Sequence, residues 1–379
     1  MGSTTERSTI AVGDFSLYPG QLLAFVLAPL VIAGNMIKSS VFVRVAIFAL
    51  VAACLLFPSV LFLPGQDARM KLIAQLAANC IVMLIVFGLL QALSYRQLQK
   101  LVTVLAVIIS IGVAIQVVFF SSMLVNSGER FLGLPRPMLL FSEPTWLATF
   151  VALLFAAALS LRQRNVAIVL GLLLLAVFTR GALALALVAL AVSVPALARL
   201  PWARAAVAAV PLAFGFWFFW SAVTGPEPRV QGSSLDSRAF DSWVVRLAND
   251  DNFMPWGGTT LSYQIPGVWR GTPETSNVVG FDLFWKFGIG GLVVFVLWWW
   301  LIAGSLPRIL ASVRPPDVRV WPAWITLMVL PATMQFNNSF GRPWVWAMIA
   351  LLLAIIGRLS VSPDPEKIPT RSRPGGWSR

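Results

Sequence analysis

Residues 101–120 read LVTVLAVIISIGVAIQVVFF, a run with no charged side chain and with only Thr103, Ser110 and Gln116 as polar ones. At about 1.5 Å per residue, a helix of this length matches the roughly 30 Å hydrocarbon core of a bilayer. Inside lipid every backbone N–H and C=O must be satisfied within the protein, and a helix does this for a single segment. The stretch therefore reads as a membrane span.

Working outward from it, comparable apolar runs begin near Leu17, Val41, Ile73, Trp146, Val166, Ala182, Ala205, Phe281, Trp321 and Pro343. The runs near Val166 and Ala182 are short and share the break Thr179-Arg180-Gly181. The expected fold class is all-α, a polytopic transmembrane helical bundle of about 11–12 spans. One large polar loop, residues 225–280, precedes the last three spans, and a shorter polar stretch covers 121–144. The domain reading is a polar N-terminal segment (1–16), eight spans (17–224), the loop (225–280), three spans (281–357) and a basic tail (358–379). The tail is rich in Pro, Ser and Arg and reads as disordered.

Composition agrees with lipid as the solvent. Of 379 residues, 58% are hydrophobic and 11% charged, against about 25% charged in soluble domains. The net charge of +13 does not point to nucleic acid, because the basic residues lie singly or in pairs between apolar runs and form no stripe. Cys54 and Cys80 both sit inside apolar runs, so no disulfide framework is implied. The chain has no histidine, which removes the commonest metal ligand and general base. No metal or cofactor is expected. The polar first twenty residues do not read as a secretory signal peptide.

Lys and Arg in short loops set orientation. With the large loop outside, the inner turns carry Lys38/Arg44, Arg96/Lys100, Arg162/Arg164, Arg199/Arg204, Arg308/Arg314/Arg319 and the basic tail. Sixteen of the 28 basic residues then lie inside with only three of the 15 acidic ones. The large loop is expected to be extracytoplasmic, with the N-terminus outside.

Chemistry is then sought in the outer loops. Leu140-Phe141-Ser142-Glu143-Pro144-Thr145-Trp146 ends the shorter one. Glu143 reads in one of two ways. It is a helix-start residue complementing the dipole, or a carboxylate in a partly desolvated pocket, where it would serve as a base. Arg180 lies between two apolar runs, either snorkelling at a helix end or retained for function. The large loop holds Ser237-Arg238-Ala239-Phe240-Asp241-Ser242-Trp243, Arg246, Pro255-Trp256-Gly257-Gly258, Arg270 and Ser276-Asn277. It leads into Phe284-Trp285-Lys286-Phe287-Gly288-Ile289-Gly290-Gly291. Arginine forks bind phosphate oxygens bidentately. Asp250-Asp251 is the one acidic pair that a metal could use.

Five elements in this order resemble the O-antigen polymerase and ligase superfamily of Wzy-like polysaccharide polymerases and WaaL-like ligases, with a GT-C-type membrane fold. They are the Arg130 stretch leading to Phe-Ser-Glu-Pro, Thr-Arg-Gly between spans, Ser-Arg-x4-Trp, Pro-x-Gly-Gly, and the Asn-x10-Gly-Ile-Gly-Gly start of the next helix. The resemblance runs from about Leu101 to Ala350. It implies a glycosyltransferase of the bacterial cytoplasmic membrane, acting outside on undecaprenyl-diphosphate-linked glycan. It implies catalytic roles for Glu143, Arg238 and Arg180, with Arg130, Arg246, Trp243, Asn277 and Arg270 binding substrate and Asp282 as the reserve base. Ligases of the family carry a histidine where this chain has Ser276, so polymerase is favoured over ligase. A chain-length regulator is an implied partner. A lipid-linked oligosaccharide flippase or a solute transporter is the rival from another class.

Overall fold

The computed structural model describes residues 10–12, 15–119, 130–131, 134–135, 137, 139, 141, 144–177, 179–193, 253–258, 279–312, 317–334 and 339–361. The helices are α1 (Pro19–Ala33), α2 (Ser39–Phe62), α3 (Gln66–Ala92), α4 (Tyr95–Phe119), α5 (Pro144–Ser160), α6 (Arg164–Val177) and α7 (Arg180–Ser193). Further along the chain come α8 (Val279–Trp299), a π-helical turn (Trp300–Ser305), α9 (Leu306–Ala311), α10 (Val320–Thr333) and α11 (Pro343–Val361). Three two-stranded antiparallel hairpins accompany them: β1 (Ile10–Val12) with β2 (Phe15–Leu17), β3 (Arg130–Phe131) with β4 (Leu134–Pro135), and β5 (Phe253–Met254) with β6 (Gly257–Gly258).

The described chain is thus predominantly helical. Five segments, α2, α3, α4, the α8–α9 run and α11, are long and apolar enough to cross a membrane. Ten of the eleven apolar runs fall on described helices, and the run near Ala205 lies outside the described residues. Two helices start earlier than hydropathy suggests, α3 at Gln66 rather than near Ile73 and α4 at Tyr95 rather than near Leu101. Their first turns carry Asp67, Arg69 and Lys71, or Arg96 and Lys100. A hydropathy window rejects such turns although the backbone hydrogen bonds continue through them. α11 runs on to Val361, so Arg358 of the expected tail lies in its last turn and donates to the Leu93 carbonyl at the end of α3.

Burial separates central helices from peripheral ones. α11 is almost wholly enclosed by other helices, whereas α4 exposes most of its surface. α5 is buried around nearly its whole circumference, with Ala148, Ala152, Ala156, Ala157 and Ala158 fully covered. Small residues of this kind let helices approach closely where lipid supplies no hydrophobic drive between them. α5 packs on α6, α7, α10 and α11, and α11 packs also on α3 and α9. α1, α2 and α4 present Val26, Leu50, Ile108 and similar side chains outward, the faces a bilayer would cover.

At one end of the bundle the Tyr95 hydroxyl donates to the Leu161 carbonyl at 2.9 Å, Arg44 donates to Ser305 at 2.8 Å, and Arg319 pairs with Asp317 at 2.6 Å. This end holds the described members of the basic pairs expected inside. Away from that end, α3 and α8 begin side by side around Arg69, while α1 and α11 begin beside Asn79, midway along α3.

Candidate functional site at the helix starts

One group of these helix starts centres on a buried arginine. Arg69, in the first turn of α3, is fully buried. Its Nε donates to the Pro64 carbonyl at 3.1 Å, Nη2 to the Gly258 carbonyl at 2.6 Å, and Nη1 to the Lys286 carbonyl. One guanidinium therefore ties the α2–α3 turn, the β5–β6 hairpin and the first turns of α8 together. Its five donors in a fixed planar fork suit three carbonyls arriving from different directions.

The hairpin and the helix also interlock directly. α8 departs from helical geometry at Gly288, where φ is 59°. The Ile289 N–H donates to the Pro255 carbonyl at 3.2 Å. A Cβ on Gly288 would collide with that carbonyl oxygen, and one on Gly257, where φ is 122°, would meet the backbone of Trp285 and Lys286. Gly258 lies against the Trp285 indole, Trp256 stacks on Phe62 with centroids 5.8 Å apart, and Gly290 admits the Leu55 carbonyl of α2. The Pro-x-Gly-Gly and Gly-Ile-Gly-Gly segments are thus two halves of one joint. Gly257, Gly288 and Gly290 answer to close backbone approach, and Gly258 to the Trp285 indole.

Asp282 is buried in the first turn of α8, and its Oδ2 accepts from the Lys286 Nζ at 2.8 Å. The reserve base is already engaged by a buried ammonium, which does not suit a group that must receive a proton from a substrate hydroxyl.

A second cluster lies where α1, α5 and α11 begin, each with proline as its first residue. Proline is cheap at this position because the missing N–H has no helical partner there. Arg342, just before Pro343, lies over the Trp146 ring at 4.2 Å and over the Tyr18 ring at 5.4 Å, and its Nη1 donates to the Tyr18 hydroxyl. A chain of amides supports it from below. The Tyr18 N–H donates to Gln21 Oε1 at 3.0 Å, Gln21 Nε2 to Asn79 Oδ1 at 2.9 Å, and Asn79 Nδ2 to the Gly341 carbonyl at 3.2 Å. Gln21 and Asn79 are both buried.

Of the residues singled out from sequence, Glu143, Arg238, Trp243, Arg246, Arg270 and Asn277 lie outside the described residues, as do Asp250 and Asp251. Glu143 is bracketed by described anchors. Phe141 packs edge-on to Trp344 at 5.3 Å and against Phe150 at 5.5 Å, and Pro144 opens α5. Arg130 pairs through its backbone with Pro135 in the β3–β4 hairpin. Arg180 is the first residue of α7, and the neighbouring Gly181 faces Thr333 at the end of α10. α5 and α7 run side by side.

Arg69 and Arg342 were missed by the sequence reading. Arg342 carries the same signal as Arg180, an arginine between apolar runs, and has a helix-start proline beside it as well. Arg69 has no comparable signal, being one of three charges in Gln66-Asp67-Ala68-Arg69-Met70-Lys71. No protein-family model, curated protein or solved structure matches the chain.

Proposed function

We propose that the chain is a polysaccharide polymerase of the bacterial cytoplasmic membrane. It joins undecaprenyl-diphosphate-linked repeat units on the extracytoplasmic face by an inverting, metal-independent glycosyl transfer. The observation that carries this reading is convergence. Pro-x-Gly-Gly and Gly-Ile-Gly-Gly interlock, and α5 and α7, which follow Phe-Ser-Glu-Pro and begin within Thr-Arg-Gly, pack side by side.

The chemistry asked of these segments is modest. Arg238 and Arg180 would neutralise the departing diphosphate, the electrostatic contribution that is commonly the largest in such reactions. Glu143 would take the proton from the acceptor hydroxyl as the glycosidic bond forms. Arg130, Arg246, Arg270, Trp243 and Asn277 would hold the donor and acceptor. The β5–β6 hairpin held by Arg69 belongs to the same polar stretch of sequence, 225–280, as five of these residues, including Arg238.

Full-length protein in nanodiscs, given a synthetic undecaprenyl-diphosphate repeat unit, should yield a ladder of lipid-linked oligomers. Failure to extend any such unit, with transbilayer movement of the intact lipid-linked glycan instead, would replace this reading with the flippase. The buried Asp282–Lys286 pair is the feature that favours that alternative, since charges enclosed in spans commonly serve transport.

A further inference from the structure

We infer that Arg342, Trp146 and Tyr18 form a binding site for a phosphate oxyanion carried by a lipid. The functional reading above is needed to name that lipid as polyprenyl diphosphate, but not for the anion chemistry.

The argument begins with donors. Trp146 is 7% exposed, and its Nε1–H has no hydrogen-bond partner in the structure. A buried indole N–H can only donate, so the group it lacks is an acceptor. Its ring lies directly beneath the Arg342 guanidinium, which also only donates. The Tyr18 hydroxyl accepts from Arg342 and so keeps its own proton to donate. Ser339, whose carbonyl accepts from the Arg342 N–H at 2.9 Å, is fully buried with its hydroxyl unpartnered. Donors from several directions suit a tetrahedral anion with three or more oxygens better than a planar carboxylate with two.

Helix ends add to this field. α1, α5 and α11 start around the cluster, with Gly20 against Pro343, and each contributes a partial positive charge. The Gln21–Asn79–Gly341 amide chain holds the turn bearing Arg342 in place before any ligand arrives, which is how a preorganised anion site is built.

A lipid is indicated by what surrounds the cluster. α1 leaves it directly, packing on α3 and α11. Its Leu23, Val26 and Leu30 form an outward apolar row, 59%, 74% and 57% exposed. A hydrocarbon chain attached to the anion has that row to lie along.

The test is isothermal titration of full-length protein in nanodiscs with farnesyl diphosphate and, separately, inorganic pyrophosphate. Farnesyl diphosphate should bind, and Arg342→Ala should weaken it about tenfold or more through loss of charge-assisted hydrogen bonds. Trp146→Phe, which keeps an aromatic face but loses the pyrrole ring with its N–H, should weaken it several-fold, as should Tyr18→Phe, which removes only the hydroxyl. Pyrophosphate binding as tightly as farnesyl diphosphate would overturn the lipid half of the proposal. Wild-type affinity in both Arg342→Ala and Trp146→Phe would overturn the site itself. If Arg342→Ala does not fold, unchanged affinity in Trp146→Phe and Tyr18→Phe overturns the site equally. Arginine-dependent binding by a protein that extends no glycan would sink the polymerase and leave this site standing.

Discussion

Arg69 and Gly258, 189 residues apart in the chain, are joined by a 2.6 Å hydrogen bond from Nη2 to the carbonyl oxygen. That bond, with its companions to Pro64 and Lys286, makes one side chain the fastening between the third helix, the β5–β6 hairpin and the eighth helix. Arg69→Ala would leave the buried carbonyls of Gly258 and Lys286 short of a donor and free the half-buried Pro64 carbonyl, a loss of about 2–4 kcal/mol. Arg69→Lys should recover little, because an ammonium cannot span the three acceptors as a planar fork does. Thermal unfolding of the two variants in detergent, read against wild type, checks both statements, and wild-type stability in Arg69→Lys would show that charge alone suffices.

Gly288→Ala should destabilise the joint on its own. The added methyl collides with the Pro255 carbonyl, and the positive φ is strained for any residue with a Cβ. The expected cost is about 1–3 kcal/mol, together with faster proteolysis between residues 253 and 258. A hairpin as resistant as wild type would mean that α8 straightens without losing its dock.

Arg238→Ala should abolish chain extension while leaving insertion and thermal stability intact. Arg238→Lys should also fail, since an ammonium lacks the bidentate fork for diphosphate. Polymer yield from nanodiscs separates the cases, and near-normal polymer from the lysine variant would reduce the role of Arg238 to charge.

Glu143→Gln keeps the shape of the side chain but cannot take a proton. Donor binding should survive and transfer should fall by about two orders of magnitude or more. A residue that merely complements the start of α5 would instead cost about 1 kcal/mol of stability or less, with turnover unchanged. Donor binding and polymer yield on a single preparation decide between these, and polymer at the wild-type rate removes Glu143 from the mechanism.

Asp317 offers a check at the opposite end. Burial pushes its carboxyl up, but hydrogen bonds and charge from Arg319, with Arg162 nearby, outweigh this and hold it below the ordinary carboxylate range. A carboxyl with a lowered pKa stabilises the fold at neutral pH, and that contribution fades as pH falls through the native value. Asp317→Asn should therefore be less stable than wild type near pH 7, with the gap closing in acid. A gap that stays constant down to about pH 3 would mean the pair contributes nothing through charge.

Much of the architecture was legible without coordinates. Apolar runs of span length announce helices because lipid leaves the backbone no other way to satisfy itself, and proline before Thr145 and Trp344 marked two helix starts. The early starts of α3 and α4 were not legible, since a charged first turn resembles a loop to any hydropathy count. The Asp282–Lys286 pair could have been read from its i,i+4 spacing on a helix, yet its burial could not.

Sequence by itself determined that the chain is helical and apolar enough for lipid, where most helices begin, and which segments carry chemically capable side chains. These are local properties, set by runs and spacings along a few turns of backbone. Only the tertiary structure decided that Gly257 and Gly288 belong to one joint, that Arg69 holds it, and that Arg342 lies on Trp146 beside Tyr18. Each of those contacts joins segments separated by tens to hundreds of residues. Such contacts depend on how helices pack around α5 and α11, which no local pattern records.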